Sequence, residues 1–424
     1  MPVSQKRALR AAPIRSVLVA VGGLVTLALV ALFLSRYGLS ALAVTHAAVR
    51  DWLGGAELYA YREPVSRAGA ALPPALAILL APLALLPLKA AGWLLALAGV
   101  AALLLAAVVL AGPIARRHGR RRTPLVLGVA ALALLTEPVR AALGEGRPEL
   151  LLFGLVVADL VALRWLRAGR ARRAPWWPAD QSRPLTDRVR RGWADGSWAG
   201  IGSGLAAAFA VTPLFFLAGL LVLGQRRAAL TALTTAVTVT LAGLLFAPRE
   251  TLAWFGGTLW KLNRTEPLTD PGNQALAGVL ARLDSCPAPP VLVWLSLGAL
   301  LLAVGLIRAR SALAAGDEVA AFTLIGLAAA AFGPMSPPAE LIWLLPALLV
   351  LADSTRRRRR ALTVAGYALL VAPVPVLLGW NVPAFALIVL TGALPWRTAP
   401  VPAPAAPRRR AAIPVPRGGR VTGS

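Results

Sequence analysis

Residues 90–122 read AAGWLLALAGVAALLLAAVVLAGPIARRHGRRR. An uncharged run from Ala90 to Ala115 stops abruptly at a block of five arginines and a histidine. At 1.5 Å per residue a helix of that length reaches about 39 Å, more than the roughly 30 Å hydrocarbon core of a bilayer. A surface helix of a soluble domain needs a polar face, and this run has none. It reads as a membrane span with its basic block at the cytoplasmic end.

The same pattern recurs along the chain. Uncharged runs cover 17–34, 90–115, 123–136, 150–163 (broken by Asp159), 198–225, 228–248, 285–307, 319–339, 341–352 and 361–396. The last is long enough for two short spans. Together they predict an all-α integral membrane protein, a polytopic helical bundle of ten to twelve transmembrane helices over residues 17–396. Composition agrees: of 424 residues 58% are hydrophobic and 15% charged, and the mean hydropathy is +0.70. A soluble domain carries about a quarter charged residues, so an ordinary cytosolic enzyme is excluded. The formal charge of +26 raises the question of nucleic acid. Its placement decides against that partner. The arginines gather in short blocks between apolar runs (6–15, 116–122, 164–191, 226–227, 308–310, 356–360 and 408–420), not on one continuous basic face.

Orientation follows from those blocks. The basic N-terminus, 1–16, is expected in the cytoplasm, ahead of a first run that lacks a small-residue cleavage site and reads as a signal anchor. Segments 36–89, 140–149, 248–288 and 333–340 are then external in a multi-pass plasma-membrane protein. The Trp/Pro/Arg-rich loop 164–197 and the basic tail 397–424 are cytoplasmic, the loop against anionic lipid headgroups and the tail disordered. A single crossing over 198–225 would strand Arg226 and Arg227 outside. A break at Thr212-Pro213, making a re-entrant hairpin, removes that conflict because proline interrupts the helix and biases the residue before it to an extended form. No internal repeat supports an inverted-repeat transporter. Cys286 stands alone, and His46 and His118 form no metal-ligand spacing, so no cofactor is called for; a divalent cation stays open.

The external segments hold the chemistry. The first contains Asp51, Glu57 and Glu63, carboxylates able to take a proton from an acceptor hydroxyl if placed beside it, or else solvated loop charges. The second, EPVRAALGEGRPELLLFGLVVADL (137–160), sets Glu137, Arg140, Glu145, Arg147 and Glu149 at the mouth of two spans. An arginine there suits a lipid phosphate or a topological ion pair, Glu137–Arg140 being the nearest one. The third, 248–283, mixes Trp254, Trp260, Asn263, Asn273, Gln274 and Arg282. That mixture fits sugar binding, rings on ring faces and amides on hydroxyls, and equally an interfacial amphipathic helix.

Six stretches carry a further signal: LGGAELYAY with PPALAILLAPLALLP, EPVRAALGEG, GLAAAFAVTPL, PGNQALAGVLARL, GDEVAAF and SPPAELIWLLPALLVLAD. In order and spacing, over about residues 38–353, the chain resembles glycosyltransferase family 87, the polyprenyl-phosphate-dependent α-mannosyltransferases of the membrane C-type glycosyltransferase fold. The resemblance implies a polyprenyl-phosphate sugar donor, a lipid or glycan acceptor and an extracytoplasmic site. Tyr59, Glu137, Arg140, Asn273, Gln274 and Arg282 match the family pattern and are candidate substrate-binding residues. Other positions depart from it. A family aspartate falls on Ala41, a tyrosine on Thr45, Gly-Gln-x-Asn on Gly146-Arg147-Pro148-Glu149, a lysine on Ala210, and paired histidines on Ala339-Glu340. Arg147 then stands in for the lysine as a phosphate-binding cation, and Asp51, Glu57 or Glu340 for the aspartate as base.

Three functions follow as expectations. The first is a membrane glycosyltransferase moving a hexosyl, by resemblance mannosyl, unit, with one carboxylate facing the same cavity as Arg140 and Arg282. The second is a catalytically silent paralogue that binds lipid-linked sugar or scaffolds an active enzyme. The third is a transporter or flippase, disfavoured by the missing repeat.

Overall fold

The structure, a computed structural model, describes residues 3–172, 195–261, 266–284, 289–353, 356–372 and 378–397. Most of the loop 164–197, the tail from 398, Asn263 and Cys286 lie outside the described residues. The described chain consists of helices and their connections: α1 (Val3–Tyr37), α2 (Ser40–Leu53), α3 (Pro74–Ala84), α4 (Leu88–Arg117), α5 (Arg122–Leu134), α6 (Glu137–Gly144) and α7 (Glu149–Arg172). There follow α8 (Ile201–Phe209), α9 (Leu214–Val222), α10 (Arg226–Phe246), α11 (Pro248–Gly256), α12 (Leu276–Leu283) and α13 (Val291–Ala314). The last are α14 (Glu318–Phe332), α15 (Leu344–Ala352), α16 (Arg357–Val371) and α17 (Val382–Ala393), with 3₁₀ turns at Thr258–Trp260 and Pro338–Trp343.

Four of these helices are long and apolar enough to cross a membrane: Ala20–Tyr37 of α1, α4, α10 and α13. The pair α5–α6, bent by 71° at Leu135-Thr136, makes a fifth. Of the remaining apolar runs, 150–163 lies within the 24-residue α7, interrupted by Asp159, and others fold as shorter helices such as Glu318–Phe332 and Pro338–Ala352. Leu24, Leu245 and Leu292 are 68%, 77% and 80% exposed, an apolar skin that only lipid can cover. The chain is a multi-pass membrane protein.

At the centre lies α14, buried on every side from Val319 to Ala331, as a helix apolar all round must be. Its small residues admit close neighbours. A Cβ on Gly326 would stand 2.0 Å from the indole of Trp343, so glycine is required where that ring crosses the helix. Trp343 in turn meets Phe153 and Phe216 at ring-centroid distances of 4.8 and 4.9 Å, which fixes the turn Pro338–Trp343 against three helices.

The ends of the bundle differ in chemistry. At one end Arg164 and Arg167 clasp Glu318 at 2.5 and 2.8 Å, Arg117 and Arg397 pair with Asp353, and the Asp317 carboxylate accepts from Ala320 N and Arg397 N. Arg117, Arg164 and Arg167 belong to the basic blocks of the sequence. At the other end Leu39 N and Leu42 N donate to the carbonyls of Gly144 and Glu145, and Gln274 N to that of Ser336.

Between them runs the hairpin. Helix α8 starts where Gly202 packs on Leu155, in the second turn of α7, and rises toward the second end. It stops at Phe209, Ala210 is extended (φ −153°, ψ 158°), and α9 resumes at Leu214. Helix α9 then descends, since Phe215 meets Phe332 at the top of α14 and Gly219 meets Ile325 below it. Helix α10 rises again beside α8, Ala228 against Gly200 and Ala232 against Gly204. The break at Thr212-Pro213 therefore is a hairpin tip, and Arg226 and Arg227 return toward the arginine end.

A helix that begins inside an apolar bundle exposes N–H groups that water cannot reach. Asp159, fully buried on α7, answers for α8: its carboxylate accepts from Gly200 N (2.9 Å), Gly202 N (3.1 Å) and Ser203 N (2.7 Å). The charge that interrupts the fourth apolar run is thus a remote helix cap. Replacing Asp159 with Ala orphans three buried donors, each costing about 1–3 kcal/mol. We expect a clear drop in the thermal unfolding midpoint in lipid nanodiscs, with Asp159→Asn, which keeps an acceptor oxygen, falling less.

Candidate functional site

The hairpin tip closes one side of a cavity of about 510 Å³ at the end away from the arginine clusters. Its other walls come from α2 (Ser40, Ala41, Thr45), the connection 66–73, the start of α7, Trp254 of α11, the turn to Lys261, Glu266, and the segment 334–340. Leu76, Leu80, Leu95, Val156 and Phe216 make much of the surface apolar.

Arg147 enters this cavity because of the turn before it. Gly146 adopts φ +72°, and a Cβ there would lie 2.6 Å from that of Leu42, so only glycine lets α2 and the turn approach. The guanidinium is held by Glu145 at 2.5 Å and Glu266 at 2.9 Å. Burial opposes its charge, but the carboxylates of Glu149, Glu145 and Glu266 outweigh that and keep it firmly protonated. Glu149, at the start of α7, has an Oε2 that is buried without a hydrogen-bond partner. Burial pushes its carboxyl upward, against the pull of Arg147.

Glu340 faces the same space from the connecting segment 333–340. Thr212 Oγ1, on the hairpin tip, donates to it at 3.3 Å, and Ser336 Oγ lies 3.4 Å away. Burial foremost, then the neighbouring Glu149, pushes the Glu340 carboxyl up to about 8, while Thr212, Arg147 and Ser336 moderate the rise. A carboxyl with that affinity for protons is suited to accept one near neutral pH. Arg147 and Lys261, both lining the cavity, bring positive charge to it.

The sequence candidates are divided by the fold. Arg147 and Glu340 come together, and Ala41, Thr45, Glu149 and Ala210 line the same cavity. Asp51 and Glu57 are exposed and line no part of the cavity. Glu137 and Arg140 pair with each other at 2.9 Å and bind Tyr37 Oη and the Val371 carbonyl, away from the cavity. Arg282 donates to the carbonyls of Asp270 (2.6 Å) and Asn273 (2.8 Å) and to Asn381 Oδ1. The expected meeting of a carboxylate with Arg140 and Arg282 is therefore corrected: Glu340 meets Arg147 instead, because both other arginines are committed to backbone carbonyls.

Asn273 and Gln274 also act behind the site. Asn273 Oδ1 accepts from Ser336 N (3.0 Å) and Ala275 N (3.1 Å), and its Nδ2 donates to the carbonyls of Leu268 and Pro334. Gln274 Nε2 donates to Pro271 and Leu378, and its Oε1 accepts from Ala384 N. Asn273 thus clamps the segment that carries Glu340, while the Gln274 side chain ties its own turn to the start of α17 and its backbone N–H donates to the Ser336 carbonyl. Tyr59 stacks on Trp254 at 5.9 Å and donates to the Leu72 carbonyl, one layer outside the wall. Lys261 and Glu266 are additions to the candidates, and Glu149, already marked as a charge at the mouth of two spans, joins them; nothing in the local sequence singles out Glu266, which is 119 residues from Arg147. Among the described residues no group of three or more His, Cys, Asp and Glu is arranged to hold a metal ion.

A family model described as glycosyltransferase family 87 matches residues 72–337. The chain belongs to glycosyltransferase family 87. The match takes in Arg147, Glu149, Thr212, Trp254, Lys261 and Glu266 and stops three residues short of Glu340. One relative is a polyprenol-phosphate-mannose-dependent alpha-(1-2)-phosphatidylinositol mannoside mannosyltransferase of Mycobacterium tuberculosis. It is 28% identical over 340 residues, 76% of this chain and 73% of the relative. A protein of the same description from Mycolicibacterium smegmatis is 31% identical over 57% of this chain and 51% of its own length. A pentamannoside mannosyltransferase of that organism is 26% identical over 73% and 68%. No solved structure matches the chain.

Asn273→Asp, nearly isosteric, removes two donated hydrogen bonds and buries a charge. We expect lower thermal stability and faster proteolysis within 333–340, read by limited digestion in detergent.

Proposed function

We propose that this family 87 member transfers a hexosyl unit, in our reading mannosyl, from a polyprenyl-phosphate sugar to a hydroxyl of a lipid or glycan acceptor, at the extracytoplasmic face of the plasma membrane. The observation that carries the proposal is the sharing of one partly apolar cavity by Arg147 and Glu340. The names of the relatives support the donor and point to a mannolipid acceptor. The basic blocks gathered at the opposite end support the placement of the site outside.

The reaction breaks the sugar C1–O bond to phosphate and forms a C1–O bond to the acceptor. The acceptor proton passes to Glu340, and the electron pair of the broken bond leaves on polyprenyl phosphate. Arg147 and Lys261 stabilise that developing anion, an effect strongest where water is excluded. The apolar walls take the first isoprene units. Thr212 and Ser336 orient Glu340, and Asn273 holds its segment in place. A competing reading, binding of lipid-linked sugar without turnover, draws on one observation: Ala41, Thr45 and Ala210 put no ionisable group into the cavity.

Transfer of labelled mannose from polyprenyl-phosphate mannose by the protein in nanodiscs separates the two. Because Glu340 must be ionised to accept a proton, the rate should climb with pH through about 8. Glu340→Gln should lower kcat by on the order of 10²–10⁴, and Arg147→Gln should weaken donor binding by roughly 10–100-fold, the scale of a charge-assisted hydrogen bond. Donor binding with no turnover at any pH would establish the silent reading.

A further inference from the structure

The short helix α11 and the turn after it have two faces. Thr251 and Thr258 are buried, and Trp254 and Thr258 line the cavity. Leu252, Phe255 and Trp260 point the other way and are 68%, 50% and 71% exposed. The outward face continues directly into Leu245 and Phe246 at the end of α10, a helix apolar enough to span the bilayer. Arg249 and Lys261 flank it, and Trp52 Nε1 ties it to α2 through Glu250 at 2.9 Å. Trp260 Nε1 donates to the Phe255 carbonyl, so the turn is fastened to the helix. Large apolar side chains on one side, aromatic residues and cations at the rim, and continuity with a lipid-facing span are the marks of a helix lying in the bilayer interface.

We propose that residues 245–261 rest in the interfacial layer of the bilayer, with phospholipid as the occupant of the outward face, and form the lateral doorway of the cavity. Lys261 is both exposed and part of the cavity wall, so the mouth opens beside Trp260 at headgroup level. A lipid-linked substrate slides past Phe255 and Trp260 with its chain still in the membrane, and its phosphate meets Lys261 first and Arg147 next. The doorway rests on the proposed function; the burial of the outward face in lipid does not.

The test is site-directed spin labelling in nanodiscs of phosphatidylcholine and phosphatidylglycerol, in a Cys286→Ser background. Labels at Phe255→Cys and, as a second site should one variant fold poorly, Leu252→Cys should collide with oxygen at least roughly fivefold more than with a water-soluble nickel chelate, as apolar interfacial positions do. A label at Asp51→Cys, on the exposed face of α2, should reverse that preference. Equal access of the chelate at 255, 252 and 51 would overturn the proposal, whether or not the protein turns over. For the doorway, Leu252→Ser/Phe255→Ser should lower kcat/KM about tenfold for a long-chain donor relative to a short, water-soluble one; an equal effect on both would refute lateral access.

Discussion

Three hydrogen bonds from the backbone of Gly200, Gly202 and Ser203 to the Asp159 carboxylate make the rest of this architecture tenable. A hairpin can turn inside a membrane bundle only if its backbone finds partners within the protein, because lipid supplies none. Asp159 meets that demand at the start of α8. The extended break at Ala210 and the resumption at Leu214 then fall at the tip, where they border the cavity. One buried acid on α7 thereby places Thr212 beside Glu340 on a segment 128 residues away.

The site built there has an uneven charge balance. Arg147 answers to Glu145 and Glu266 directly and to Glu149 through space, so no carboxylate beside it has a cation to itself. Glu340, buried and facing Glu149, is left with a high proton affinity. The arrangement sets one cation among three carboxylates and leaves one further carboxyl near the edge of ionisation. It is on this arrangement that the proposed transfer from a phosphate leaving group to a hydroxyl rests.

Much of this was legible before the fold was known, and the limits have physical causes. Apolar run length and arginine placement disclosed a membrane bundle, since both follow from the bilayer itself. The hairpin tip at Thr212-Pro213 was readable because proline acts locally. Arg147 was legible as one of five charges at the mouth 137–149, and Glu340 through the family resemblance, on the position of a paired histidine. Asn273, Gln274 and Arg282 looked like sugar ligands because a side chain that clamps backbone and one that binds hydroxyls have the same chemistry; only their partners differ. Glu137 and Arg140 form the ion pair that their spacing of three residues on a helix offered. Glu266 and Lys261 escaped notice because their meaning lies in partners far away in sequence.

The most direct test of the account is photo-crosslinking of a benzophenone-bearing polyprenyl phosphate to the protein in nanodiscs, with adducts mapped by mass spectrometry. The account predicts adducts on cavity residues such as Leu76, Leu80 and Trp254, suppressed by excess polyprenyl phosphate. Adducts confined to the surroundings of Glu137 and Arg140, with the cavity unlabelled, would contradict it.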